Sequence, residues 1–203
     1  MSLLTSQGNL KSQTITNEVL IDKRTHKIVK YWGKVGFPYI DTGEKFRQDK
    51  FDAFLKVDDM QSLDFNNRSF KFNNAGLALA WSYHPHAFEV QCNNQKSPMD
   101  VFNDYDTFSK GIKKTLKGSF FKKRSFEELM QKNDQTNEMI RTVLRRVSGA
   151  QMVSNFRPIT ASALYKLFTD KNDTVWDMSC GWGGRLLASV KSEINYIGTD
   201  PNT

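Results

Sequence analysis

Apolar positions change their period along this chain, and the changes mark its parts. Glu18 to Ile21 and Lys27 to Tyr31 flank the polar run Asp22 to His26, a pattern that predicts a hairpin. Residues 1–17 are polar and rich in Ser, Thr, Gln and Asn, and are expected to form a flexible tail. Tyr31 to Gly43 is rich in turn residues, and Lys45 to Leu55 reads as a short helix carrying Phe46, Phe51 and Leu55. Ser69 to Phe72, Leu77 to Ser82 and Phe88 to Cys92 read as strand-like pieces.

Two capping boxes then announce helices. Ser97-Pro-Met-Asp100 places a capping serine, a first-turn proline and an acid three residues on; its helical stretch should end near Gly118. Ser125-Phe-Glu-Glu128 opens a helix or helix pair running to Val147 and stopped by Gly149. Met139, Ile140, Val143, Leu144 and Val147 form its apolar stripe. Residues 18–150 therefore predict a mixed α+β domain.

Beyond residue 150 the pattern becomes α/β. Ile159 to Phe168 has Ala161, Leu164, Tyr165 and Phe168 at helical spacing, with Pro158 at the first turn. Thr174 to Met178 reads as a buried parallel strand and Cys180-Gly-Trp-Gly-Gly184 as a glycine turn. Arg185 to Ser192 follows as a helix, and Asn195 to Thr199 as a second strand ending on Asp200. Open parallel sheets bind ligands at such strand ends.

The spacing discriminates between cofactors. A dinucleotide turn needs a third glycine to seat its helix, and that position is Leu186. Asp177 closes the first strand, where it would repel a pyrophosphate. S-adenosylmethionine carries a sulfonium and an ammonium instead, and an acid suits it. Asp200 lies 23 residues after Asp177, near the spacing at which an acid reaches ribose hydroxyls.

Residues 154–203 resemble the cofactor motifs of class I S-adenosylmethionine-dependent methyltransferases. The resemblance implies that Asp177, Gly181 and Gly183 line the methionine and ribose side and that Asp200 binds the ribose. Ser154-Asn-Phe-Arg-Pro158 is similar to the segment that packs on the methionine end in amino-methylating DNA methyltransferases, which adds Asn155 and Phe156. Asn-Phe-Arg-Pro followed by Gly-Trp-Gly-Gly-Arg also resembles phage-encoded methylase-like proteins. The implied fold is the start of a Rossmann-like sheet, with 151–203 as the first, truncated part of the cofactor domain.

Composition narrows the setting. No run of roughly eighteen apolar residues exists, so no membrane span is expected. Cys92 and Cys180 are the only cysteines and read as free thiols of a reducing compartment, the cytoplasm, or a host's cytoplasm if the gene is phage-borne. Trp81-Ser-Tyr-His-Pro-His86 reads as a strand end with packing aromatics; with Cys92 it matches no zinc spacing, and no metal is expected. The net charge is +7, yet residues 171–203 hold three basic and four acidic groups, so the excess lies in front. Such a split suits a DNA partner.

The strongest basic cluster is Lys110, Lys113, Lys114, Lys117, Lys122, Lys123 and Arg124, interrupted only by apolar and small residues, Phe120 and Phe121 among them. It could neutralise several phosphates. Arg141, Arg145 and Arg146 add a second basic stripe at helical spacing. Amino-methylating enzymes also need an Asp/Asn/Ser-Pro-Pro-aromatic motif, and none of the five prolines here adjoins another. The expectation is the N-terminal portion of a DNA methyltransferase acting on an exocyclic amino group of adenine. A non-catalytic DNA-binding module and an RNA or small-molecule methyltransferase remain open beside it.

Overall fold

The computed structural model describes residues 3–71, 73–119, 123–147 and 149–201, with side chains from residue 17 onward. The chain runs through α1 (Leu3–Val35), α2 (Glu44–Leu55), a 3-10 turn (Asp59–Ser62), β1 (Leu63–Asp64) and β2 (Ser69–Phe70). Then come α3 (Leu77–Ser82), a second 3-10 turn (Pro85–Phe88), α4 (Pro98–Asn103), α5 (Tyr105–Leu116), α6 (Phe126–Leu129) and α7 (Asp134–Arg146). α8 (Pro158–Phe168), β3 (Thr174–Asp177), α9 (Gly184–Ser192) and β4 (Asn195–Gly198) complete it. Among the described residues the protein is mixed α+β and mostly helical, with two separate two-stranded sheets. A Rossmann-like sheet is not evident, because β3 and β4 pair only with each other.

Two compact units form, each from two stretches of chain: 1–39 with 88–153, and 40–87 with 154–203. A single linear boundary at residue 150 does not describe this interleaving. No helix among the described residues is long and apolar enough to cross a membrane.

The first unit is helical. α1 takes up the segments expected as a flexible tail and a hairpin. No glycine or proline lies between Asn9 and Trp32 to turn the chain, and Ile21, Thr25, Ile28 and Trp32 recur at helical spacing. Ile28 and Trp32 are fully buried. They pack in one core with Phe108, Ile112, Ile140 and Leu144, and the Trp32 indole N–H donates to the Leu129 carbonyl at 2.9 Å. Both expected capping boxes form, at Ser97 and Ser125. Asp104 divides the stretch after Ser97 in two: it ends α4, and its side chain accepts from the Thr107 N–H at 3.0 Å to start α5. The strand expected over Phe88 to Cys92 is absent; the 3-10 turn ends at Phe88, and Cys92 makes an isolated bridge to Gln95.

The second unit contains both sheets. The strand expected over Leu77 to Ser82 is α3, whose last four residues are all buried. β2 covers Ser69–Phe70, while Phe72 lies outside the described residues. β3, α9 and β4 make a β–α–β unit with parallel strands, Trp176 opposite Ile197. Trp176 is 65% exposed and Ile197 54%, so this face of the sheet is uncovered. α8 and α9 are tied to the first 3-10 turn through fully buried Asp59, which pairs with Lys166 at 2.8 Å and Lys191 at 2.6 Å. Burial pushes the Asp59 carboxyl up, but the two lysines and Ser162 outweigh it and hold the group below its ordinary value.

Candidate functional site

The carboxyl ends of β3 and β4 meet at the glycine turn. Thr199 N–H donates to the Asp177 carbonyl at 2.9 Å and Cys180 N–H to the Thr199 carbonyl at 3.0 Å. Gly181 has φ +54° and Gly183 φ +75°, left-handed conformations that glycine adopts without strain. Asp200 lies just past β4, and its carboxylate accepts from the Gly181 N–H at 2.9 Å. Both acids therefore sit at the turn, Asp177 as the last residue of β3 and Asp200 just past β4.

Asn155 and Phe156 are brought to the same place. The Asn155 side-chain amide donates to the Trp182 carbonyl at 3.0 Å. A Cβ at Gly184 would run into the Phe156 carbonyl oxygen and lie 2.6 Å from Asn155 Oδ1. The turn thus needs its last glycine because the segment before α8 crosses it at backbone contact. All six cofactor residues expected from sequence, Asn155, Phe156, Asp177, Gly181, Gly183 and Asp200, gather around one turn.

Asp177 is not an open carboxylate. Arg185, at the start of α9, donates from Nε to Oδ2 at 2.5 Å and from Nη2 to Oδ1 at 3.2 Å. Tyr196 Oη donates to Oδ2 at 2.5 Å and Ser179 N–H to Oδ1 at 3.2 Å. Arg185 also donates to the Ser179 carbonyl and stands 5.3 Å from the Phe156 ring centre. Burial pushes Asp177 up, yet the donors from Arg185, Tyr196 and Ser179 hold it below its ordinary value. Burial and the Asp177 bond push the Tyr196 phenol well up.

Arg185 and Tyr196 were not singled out in the sequence, and no local spacing rule pairs them with Asp177. The sequence predicts a strand end at His84. His84 follows α3, with its ring 5.5 Å from Trp182 and Nε2 3.6 Å from a Cβ built on Gly183. His86 lies 5.5 Å from Trp182 as well. Burial first, then the neighbouring His86, lowers the His84 pKa.

The expected nucleic-acid residues are placed less simply. Lys113 pairs with Asp22 at 2.5 Å and Lys117 with Glu18 at 2.9 Å, both across α5 and α1. Arg124 lies 3.9 Å from Glu128. Arg141 and Arg145 share Glu138, and Arg141 also donates to the Pro38 carbonyl at 2.7 Å. Lys114 lies near the end of α5, and Lys123 packs beside Gly118. Lys122 lies outside the described residues, as do Phe120 and Phe121. Lys113 and Lys117, two residues of the cluster expected as a phosphate surface, thus join α5 to α1. The chain matches no protein-family model, no curated protein and no solved structure.

Proposed function

We propose that this chain is the cofactor-holding, N-terminal portion of a cytoplasmic S-adenosylmethionine-dependent DNA methyltransferase that acts on the exocyclic amino group of adenine. In this reading β3, α9 and β4 begin a Rossmann-like sheet of the class I methyltransferase kind. The supporting observation is the turn itself: two strand-end acids, two left-handed glycines and the Asn155–Phe156 segment converge on it. The ligand's ribose would lie toward Asp200, and its methionine end toward Asp177 and Phe156. No residue of this sequence is assigned the amino-accepting role in this reading.

One observation favours a second reading, a DNA-binding module of methyltransferase ancestry. Both oxygens of Asp177 already carry protein donors, so a ligand ammonium must compete with Arg185. Calorimetry with S-adenosylmethionine separates the two. Binding by the wild type, lost in Asp177→Ala and weakened in Asp200→Ala, supports the first. Absence of binding in the presence of salt-dependent DNA affinity supports the second. Methyl transfer by the complete protein to structured RNA but not to duplex DNA would replace the acceptor in the first reading.

A further inference from the structure

The sequence predicts the nucleic-acid contact over Lys113 to Arg124, on the end of α5 and the segment after it, but the structure offers a better surface on α1. Lys23, Lys27, Lys30 and Lys34 recur every three or four residues, so they form one line along α1. All four are exposed, and none forms an ion pair with a described acid. Helical rotation of about 100° per residue puts this line opposite Ile21, Thr25, Ile28 and Trp32, the residues that face the core. The acids of α1 lie on the core-side flank, where Glu18 takes Lys117 and Asp22 takes Lys113. α1 therefore keeps its negative charge on one side and presents only positive charge on the other. Arg24 borders the line and stands 5.9 Å from the Phe126 ring centre.

We propose that this lysine line on α1 is the surface that binds the phosphate backbone of duplex DNA. The proposal rests on the DNA-methyltransferase reading for its partner and names the residues that hold it. From Lys23 to Lys34 the line spans about 16 Å at about 1.5 Å per residue. With about 3.4 Å of axis per phosphate on each strand, it runs along roughly five base pairs. A membrane surface fits less well, because amphipathic helices bind lipid through a free apolar face. The apolar face of α1 is spent on the core, where Ile28 and Trp32 are fully buried.

The test is the salt dependence of binding to a fluorescein-labelled duplex, read by anisotropy. Three versions of the full chain are compared: wild type, K23Q/K27Q/K30Q/K34Q and K113Q/K117Q. Glutamine keeps helix propensity close to that of lysine, and circular dichroism checks that α1 persists. Each phosphate contact contributes about 0.9 to the slope of log affinity against log salt. The fourfold variant should therefore lose about three to four units of slope and at least a hundredfold in affinity near 0.1 M salt, while K113Q/K117Q keeps most of both. An unchanged slope in the fourfold variant, or a loss confined to K113Q/K117Q, overturns the assignment to α1. If the wild type binds no duplex, the DNA reading itself falls. Binding to phosphatidylserine vesicles in place of duplex would replace DNA by a membrane surface and overturn the proposal.

Discussion

The two units differ in net charge and in how much charge they enclose. The first holds 18 basic and 10 acidic side chains, the second 11 basic and 12 acidic, so the excess positive charge of the protein lies in the first. The first unit buries apolar side chains around Ile28, Trp32 and Ile140 and pairs Lys113 and Lys117 with Asp22 and Glu18 at its surface, with Arg141 buried against Glu138 and the Pro38 carbonyl. The second buries charge, with Asp59 fully enclosed and Asp177 bonded from three sides, and leaves Trp176, Met178 and Ile197 exposed. An apolar core costs nothing in desolvation of ions and makes a rigid support. Enclosed ion pairs are costly to assemble, and perturbed acids gather where ligands are handled. The contrast is between a unit held by apolar packing that carries the excess positive charge and a unit that encloses paired charge.

The largest test of this contrast is at Asp59. Asp59→Ala leaves the nearly enclosed Lys191 without its carboxylate, although Lys191 still donates to the Phe54 and Val57 carbonyls. Removing one partner of such a pair costs about 3–5 kcal/mol. Ile140→Ala in the other core should cost about 2–5 kcal/mol through lost burial and a cavity. Urea unfolding of each variant measures both. A loss below about 1 kcal/mol for Asp59→Ala would show that enclosed charge does not hold the second unit together. A smaller effect is expected at Gly111, where α5 meets α7. A Cβ there would come within 2.7 Å of Val143 and 2.8 Å of Val147, so Gly111→Ala should cost about 1–3 kcal/mol by overpacking.

Local chemistry was legible in the sequence; partners across the fold were not. Ser97, Ser125, Pro158 and the glycines of the 181–184 turn act within three or four residues, and the elements they announce form where expected. α1 is hard to read from sequence because its polar run Asp22 to His26 resembles a loop, although no glycine or proline supports one. α3 is ambiguous in sequence because six mostly apolar residues do not separate a strand from a buried helix. The pairing of Lys113 and Lys117 with α1 needs residues some ninety positions away, which no spacing reveals. The lysine line of α1 was visible in principle, at intervals of four, three and four, once a helix replaces the hairpin.

Arg185 gives a pH-dependent version of the comparison. Asp177 is depressed in the folded protein, so its bonds stabilise fully above its unfolded value of about 3.8. That contribution fades as pH falls through the lower folded value, because protonation removes the charge that Arg185 meets. Arg185→Gln should raise the Asp177 pKa, seen in the carboxyl carbon resonance, and flatten the acid limb of stability against pH. An Asp177 titration unmoved by this substitution would assign the depression to Tyr196 and Ser179 instead.

The smallest expected effect sharpens the reading of α1 as one continuous helix. Gly33 lies in its last turns without positive φ, and a Cβ there meets nothing within 4 Å. Alanine at a helical glycine gains up to about 0.5–1 kcal/mol by restricting the unfolded chain. Gly36, just beyond α1, has φ +92°, so the same substitution there should destabilise through backbone strain. Gly33→Ala gaining and Gly36→Ala losing stability, by urea midpoint, would place the end of α1 between them. A loss at Gly33 would instead mean that the chain leaves the helix earlier, which would remove Lys34 from the lysine line and shorten the surface proposed for DNA.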